Sequence, residues 1–257
     1  MDNNDYEIVG TGKKKIVFIH YFGGDAGSWK WLAKRLAKTH TCILLNLPGF
    51  NGTELNTEPS IYGYANFVND VIHKLKLKKY TLYGHSMGAK IGLYAALMNE
   101  KIKPEKIILI APSPPTVENM PEDEKKRMLN HPDKDEAVTS VKNSIVRKLK
   151  PIKFSYAVDS QLRVNNTAWQ WWIKTGMNHD ISEAIENIEI PTFVICSKDD
   201  PAIAIDDIYN EVLPHLDKPN LTVLNRVGHL IPMEAPRKLA RHIRHISKLK
   251  FKKSKEE

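Results

Sequence analysis

The sequence has no apolar run of about 18 residues, the length that a transmembrane helix needs. Its first fifteen residues, MDNNDYEIVGTGKKK, lack the apolar core of a secretory signal. It has only two cysteines, Cys42 and Cys196, each inside an apolar run typical of a strand. We therefore expect two buried thiols rather than a disulfide, and a cytoplasmic location.

Motifs for bound ions and nucleotides are also missing. The sequence has no H-E-x-x-H, no paired C-x-x-C and no acidic calcium-binding loop. No G-x-G-x-x-G follows a predicted strand, so no dinucleotide site is indicated. We expect neither a metal nor an organic cofactor.

Negative charge is scarce at the C-terminal end, where most of the net charge of +8 lies. From Arg237 onward there are nine Lys/Arg and two Glu. Helical spacing places the basic residues on one face and the apolar residues opposite, ahead of a frayed KKSKEE end. Nucleic-acid binding is not expected, because only Phe251 interleaves with the basic cluster. Contact of this helix with an anionic surface remains open.

Strand-like and helix-like segments alternate through the first half of the chain. The apolar runs IVFIH, TCILLNL, YTLYGH and KIILIAP are typical of strands, and helical patterns separate them. The first of these helices, SWKWLAKRLAKT, has Ser28 as its expected N-cap. Continuous apolar strands joined by helices predict an α/β fold with a mostly parallel, doubly wound sheet.

The alternation stops after residue 113 and resumes with the strands PTFVICS and LTVLNRV. Residues between them are helical in pattern, including the segments DEAVTSVKNSIVRKL and NTAWQWWIKTGM. We expect a core formed by 1–113 and 191–257, with a helical cap, 114–190, inserted between two core strands.

The segment GHSMG places Ser86 between Gly84 and Gly88, after a predicted strand and before a predicted helix. This position suits a nucleophile on a strained turn, with its hydroxyl exposed above the sheet edge. Side chains at the two glycines would collide with the adjoining strand and helix. The helix that follows offers free N–H groups and a dipole that favour an oxyanion.

A serine hydroxyl needs a base, and the base needs an orienting group. His229 follows the last apolar strand, on a loop bounded by Gly228 and Pro232. Asp199 and Asp200 follow TFVICS, also at the carboxyl end of a strand, where ligands bind in open α/β sheets. Serine, histidine and an aspartate are thus predicted to meet at one rim.

The chain resembles the α/β-hydrolase superfamily over nearly its whole length. GHSMG is similar to the family's nucleophile elbow, and GHLIPMEAP is similar to its histidine loop. HYFGGDAGSW resembles the oxyanion stretch, with Tyr21 where glycine is usual, and LNLPGFNGT resembles another family segment, with Asn46 where aspartate is usual. Aligning PTFVICSKDDP with the acid-bearing segment favours Asp200 over Asp199.

The resemblance implies a triad of Ser86, Asp200 and His229, with an oxyanion hole formed by the backbone N–H groups of Phe22 and Met87. The activity it implies is hydrolysis of a small or medium carboxylic ester, thioester or lactone. One alternative keeps the triad for C–C, amide or peroxide chemistry, or for acyl transfer. Another is a ligand-binding protein with weak turnover.

Aromatic residues crowd one predicted cap helix. Trp169 and Trp172 share a face and, with Tyr21, are candidates for an apolar substrate pocket, although they could simply pack the cap on the core. Trp171 is expected to point away from the other two. Trp29 is expected in the core, and His20 and His85 are expected to support loops rather than to react.

Overall fold

A seven-stranded sheet forms the centre of the molecule in the computed structural model, which describes residues 4–249. The strand order is β1-β3-β2-β4-β5-β6-β7, and all neighbours are parallel except the antiparallel pair β1 and β3. The strands are β1 (Tyr6–Val9), β2 (Lys14–Ile19), β3 (His40–Leu45), β4 (Thr81–His85), β5 (Lys106–Ile110), β6 (Thr192–Ser197) and β7 (Asn220–Leu224).

Helices cover both faces of this sheet. They are α1 (Lys30–Leu36), α2 (Ile61–Lys74), α3 (Met87–Met98), α4 (Glu122–Met128), α5 (Lys134–Asn143), α6 (Pro151–Leu162), α7 (Asn166–Lys174), α8 (Ser182–Ile185), α9 (Ile205–Asp207), α10 (Ile231–Glu234) and α11 (Pro236–Ile246). Short 3₁₀ turns form at Ala26–Trp29, Gly176–Asn178 and Leu213–His215, and a π turn forms at Ile208–Val212.

Two apolar layers follow from the alternation of side chains along each strand. In β2, Val17 and Ile19 join the layer that includes residues of α2 and α3. Ile16 and Phe18 join the opposite layer, which includes Trp29 and residues of α1 and α11. The central strands are buried on both sides, which explains their continuous apolar sequence and confirms the predicted doubly wound α/β sheet.

The structure corrects two local expectations. Residues Tyr6–Val9 form an additional edge strand. The sequence did not predict it, because the stretch has only four residues and follows a polar start. Ser28 is not an N-cap, because it lies inside the 3₁₀ turn that precedes α1. The Asp25 side chain caps that turn by accepting a hydrogen bond from the Gly27 N–H. The expected frayed end beyond residue 249, including Phe251, lies outside the described residues.

Between β5 and β6 the chain forms helices α4 to α8 and their connections, a segment called here the insert (residues 114–190). Lys90 of α3 joins the insert to the core. Its side chain is fully buried, and its ammonium donates to the carbonyl oxygens of Thr116 at 2.8 Å, Met177 at 3.3 Å and His179 at 2.9 Å. Both ends of the insert are therefore held by one side chain.

Burial lowers the pKa of Lys90 to about 8, although the carboxylates of Glu118 and Asp180 oppose that shift. The three carbonyl oxygens replace the water that the ammonium loses on burial, which is the condition for placing a charged group in an interior. The lysine ammonium has three N–H donors, one for each of these carbonyl oxygens.

Candidate active site

Ser86 lies at the turn between β4 and α3 with φ 53° and ψ −120°. A positive φ is rare for a residue with a side chain, and such strain is typical of functional sites. The turn is tight because its glycines lie against backbone. A Cβ on Gly84 would meet the Gly88 carbonyl oxygen at 2.3 Å, and one on Gly88 would meet the carbonyl oxygens of Ile19 and His20 at 2.5 Å. The predicted collisions with strand and helix are thus confirmed.

His229 follows β7 and forms a buried pair with Asp200, which follows β6. The Nδ1 of His229 and the Oδ2 of Asp200 are 2.9 Å apart, and both side chains are almost inaccessible to solvent. The other Asp200 oxygen accepts hydrogen bonds from the N–H groups of Ala202 and Ile203. Asp199 points elsewhere and accepts from the Arg226 N–H. Of the two candidate acids, the structure places Asp200 against the histidine.

The electrostatic surroundings favour a protonated His229. Burial, the largest single effect, would lower the pKa of this imidazole, but the carboxylates of Asp200, Glu118 and Glu234 together outweigh it, with Asp200 contributing most. The net effect raises the pKa of His229 above its ordinary value. A base with a raised pKa accepts a proton more readily, as proton abstraction from a hydroxyl requires.

Two further histidines fix the neighbouring loops. His85 Nε2 donates to the carbonyl oxygen of His229 at 2.9 Å. His20 accepts from the Leu47 N–H through Nε2, which leaves Nδ1 to donate to the Tyr21 carbonyl at 2.9 Å. Burial lowers the pKa of His20 to about 4 and holds the pKa of His85 well below its usual range. Both side chains are therefore neutral and contact loop backbone.

Ser86 and His229 line the same cavity, which has a volume of about 480 Å³. The sequence-predicted residues Tyr21, Phe22, Trp169 and Trp172 all line it. The insert supplies most of the remaining wall, with contributions from Glu118–Pro121, from helices α4 and α5 and from Gln161 of α6. The catalytic candidates thus open into a partly aromatic chamber between the sheet edge and the insert.

Aromatic side chains pack on one another around the cavity. Phe22 packs on Trp169 with ring centroids 4.3 Å apart and on Trp172 at 6.1 Å. Trp171 points away from the cavity and packs against Tyr64 at 5.3 Å. Met87 is the first residue of α3, so its N–H has no acceptor within the helix. Phe22 follows β2 and Met87 follows β4, so both lie at the carboxyl ends of two neighbouring parallel strands.

The loop that contains Phe22 is fastened to the insert by α6. The carboxylate of Asp25 is fully buried and accepts hydrogen bonds from the Tyr156 hydroxyl and, at 2.9 Å, from Arg163 Nη2. The Ser160 hydroxyl donates to the Gly23 carbonyl at 2.8 Å. Three side chains of the insert thus bind Gly23 and Asp25, the residues that follow Phe22 in this loop.

The Alpha/beta hydrolase family model matches residues 16–242. The chain belongs to this family. The match covers the sheet from β2 to β7, the insert and the loops that carry Ser86, Asp200 and His229.

Known proteins match this chain at low identity. Strigolactone esterase D14 of Arabidopsis thaliana is 22% identical over 92% of this chain and 93% of its own length. An esterase of Exiguobacterium antarcticum has a TM-score of 0.85 at 17% identity and covers 95% of both chains. Karrikin insensitive 2 receptor B of Petunia hybrida is 28% identical over 116 residues, and the matched segment spans only 42% of its length.

Sequence reasoning missed two groups at this hydrolase's site. Glu118 is nine-tenths buried at the cavity wall, and burial raises its pKa although Ser113 and Lys90 oppose that effect. The Asp25 contacts with α6 were also missed. The neighbours of Glu118 and Asp25 come from distant parts of the chain. The only local signal for either residue is an acidic side chain within an otherwise apolar or glycine-rich stretch. Within residues 4–249, no group of three or more His, Cys, Asp or Glu could hold a metal ion.

The two glycines of α3 that face the sheet supply a matched pair of variants. We expect Gly88→Ala to lower the melting temperature sharply and to abolish activity, because its Cβ meets immovable backbone at 2.5 Å. Gly92→Ala should be tolerated, since its Cβ meets only the side chains of Ile19 at 3.4 Å and Leu82 at 3.7 Å, and alanine favours a helix by about 1 kcal/mol. Thermal unfolding followed by circular dichroism checks both, and equal melting temperatures would contradict the packing described for the turn.

Proposed function

We propose that this protein is a serine hydrolase that cleaves a small or medium carboxylic ester, thioester or lactone through an acyl-enzyme on Ser86. The proposal rests on the buried Asp200–His229 pair, which opens into the same cavity as the strained Ser86 turn. The near full-length similarity to a strigolactone esterase supports an ester as the bond that is cleaved.

In the proposed mechanism His229 accepts the hydroxyl proton while the Ser86 oxygen attacks the acyl carbon. Asp200 holds the imidazole by its Nδ1 and stabilises its positive charge. The imidazolium then gives its proton to the leaving oxygen or sulfur, and the C–O or C–S bond breaks. A water, deprotonated by His229, attacks the acyl-enzyme and releases the carboxylic acid with Ser86 restored.

The negative oxygen that forms on the acyl carbon would be stabilised by the N–H groups of Phe22 and Met87. Helix α3 contributes the positive end of its dipole at this point. One such donor is typically worth about 10² to 10³ in rate. The links from α6 to Asp25 and Gly23 would position the Phe22 donor, so that the insert acts both as a cap and as a support.

The aromatic wall of Phe22, Trp169 and Trp172 favours an apolar acyl or alcohol part. Both cysteines are buried and free, in agreement with a reducing, cytoplasmic environment. Within residues 4–249, no helix is long and apolar enough to cross a bilayer.

The first experiment is labelling with a fluorophosphonate probe, read by intact mass and peptide mapping. We expect one label per chain on Ser86, none on Ser86→Ala, and labelling slowed by at least 10³ in His229→Ala. Asp199→Asn is the matched control for Asp200→Asn, since Asp199 lies on the same loop but contacts Arg226 instead of the base. Only the Asp200 variant should label slowly.

The outcome also separates the alternatives. If the folded protein leaves the probe unreacted and binds ligands tightly in the cavity, the ligand-binding proposal replaces the hydrolase proposal. The similarity to Karrikin insensitive 2 receptor B supports that alternative. Stoichiometric labelling without turnover of esters, thioesters or lactones would move the reaction to the C–C, amide, peroxide or acyl-transfer alternatives.

The pH profile tests the role of His229 as the base. Only the neutral imidazole can accept the Ser86 proton, so kcat/KM should fall as the pH drops through the pKa of His229. Because Asp200 raises that pKa, we expect the midpoint above the ordinary value of 6.5. Asp200→Asn should move the midpoint down and reduce kcat by about 10⁴. A midpoint that Asp200→Asn leaves in place would exclude His229 as the titrating base.

The cavity wall predicts a preference among substrate charges. Apart from His229, the charged residues that line it are Glu118, Asp123 and Glu124, and Arg127 neutralises only Glu124. For 4-nitrophenyl esters of equal length, we expect kcat/KM for a carboxylate-ended acyl chain to be about tenfold below that for a methyl-ended chain, since like charges repel across a poorly screened cavity.

Asp123→Asn should reduce this discrimination. Glu122→Gln is the control, because Glu122 is the neighbouring carboxylate on α4 and does not line the cavity. The prediction is wrong if steady-state kinetics give equal values for the two esters, or if Glu122→Gln has the larger effect.

A further inference from the structure

Three segments that contain basic residues and no acidic ones meet in the fold. Residues 30–38 have four Lys/Arg, residues 145–153 have four, and residues 235–249 have five. Residues 71–90 also have five lysines and no acidic residue, but they lie outside this group. The three segments therefore form a concentration of positive charge in which no carboxylate is contributed by the segments themselves.

The fold brings the three segments to one side of the molecule. Helices α1 and α11 pack together through Leu36, Leu239 and other buried residues, and Arg244 of α11 donates to the Arg35 carbonyl. The start of α6 joins them, because Lys153 donates to the Met233 carbonyl just before α11 and lies 5.4 Å from the Trp31 ring of α1. The combined surface is called here the basic face.

Charges on the basic face crowd one another without being neutralised. Burial and the nearby cations Arg35 and Lys150 lower the pKa of Lys153. Burial, Lys238, Arg241 and His245 likewise lower the pKa of His242. Among the described residues, 4–249, Lys30 is the residue of the basic face that forms an ion pair, with Glu7. Repulsion of this kind is relieved when an anionic partner binds.

Two apolar side chains are exposed beside these charges. Ile152 is 72% exposed between Lys150 and Lys153, and Val146 is 49% exposed next to Arg147. The backbone around Val146 is held in place, since the N–H groups of Val146 and Arg147 both donate to Glu234. Exposed aliphatic groups flanked by cations match the interface of a bilayer, where headgroups meet acyl chains. A nucleic-acid duplex offers phosphates but no comparable place for Ile152.

We propose that the basic face is a docking surface for an anionic lipid membrane, on which the cations contact headgroups while Ile152 and Val146 enter the interface. The surface borders the cavity, because the segment with Val146 directly follows Asn143 and Ser144 of the cavity wall.

The test is co-sedimentation of the full chain with vesicles of phosphatidylcholine alone and with about 30% phosphatidylserine, at about 0.1 M and about 0.5 M salt. We expect binding only to the anionic vesicles, lost at the higher salt. Replacing Lys34, Lys38, Arg237 and Arg241 by Gln should weaken binding at least tenfold, since these exposed side chains act together by charge.

The matched control replaces four exposed lysines that precede β4 and β5, Lys78, Lys79, Lys101 and Lys103, by Gln. It lowers the net charge equally and should leave vesicle binding unchanged. Ile152→Ser should weaken vesicle binding several-fold without changing binding to duplex DNA. Hydrolysis of a soluble ester, or probe labelling, serves as the measure of folding in each variant, because none of these residues belongs to the proposed site.

Three results would overturn the proposal. The first is wild-type protein that binds vesicles with and without phosphatidylserine equally. The second is a loss of vesicle binding in the control variant equal to that in the basic-face variant. The third is duplex DNA bound more tightly than anionic vesicles with no effect of Ile152→Ser, which would assign the basic face to nucleic acid.

Discussion

The close approach of helix α3 to strands β2 and β4 is the constraint on which the rest of the site depends. At Gly88 the helix backbone lies so near the carbonyls of Ile19 and His20 that no side chain fits, and Gly84 faces the first turn of the helix in the same way. The tight turn that this contact requires holds Ser86 at a positive φ. It also aims the free N–H groups at the start of α3 toward the same space.

The position of His229, the proposed base, depends on contacts with the insert as much as on the sheet. The His229 N–H donates to the Ser144 carbonyl at 2.8 Å, and Glu234 accepts from the N–H groups of Gly228, Val146 and Arg147. On the other side, α6 holds the loop of Phe22 through Asp25. The insert thus binds both the loop that carries His229 and the loop that carries Phe22. A shift of the insert would therefore move His229 and the loop of Phe22 together.

Local sequence patterns were sufficient for the central strands, the helices on both faces and the strand ends at which Ser86, Asp200 and His229 lie. These features follow from periodicity and from turn chemistry over a few residues. The edge strand β1 escaped because its four residues are only half buried. The roles of Asp25 and Glu118 were not predicted, because the residues that surround them are distant in the sequence. The pairing of Asp25 with Arg163 spans 138 positions, and no local pattern encodes such a contact.

Lys90 gives the insert an unusual mechanical property. Because the ammonium binds Thr116 at one end and Met177 and His179 at the other, the roughly sixty residues between them form a loop that is closed at its base. Further contacts join the helices of that loop to the core, since Arg163 binds Asp25, Ser160 binds Gly23 and the His229 N–H binds the Ser144 carbonyl. Lys90 therefore fixes the base of the insert, and the helices beyond that base stay connected to the loops beside Ser86.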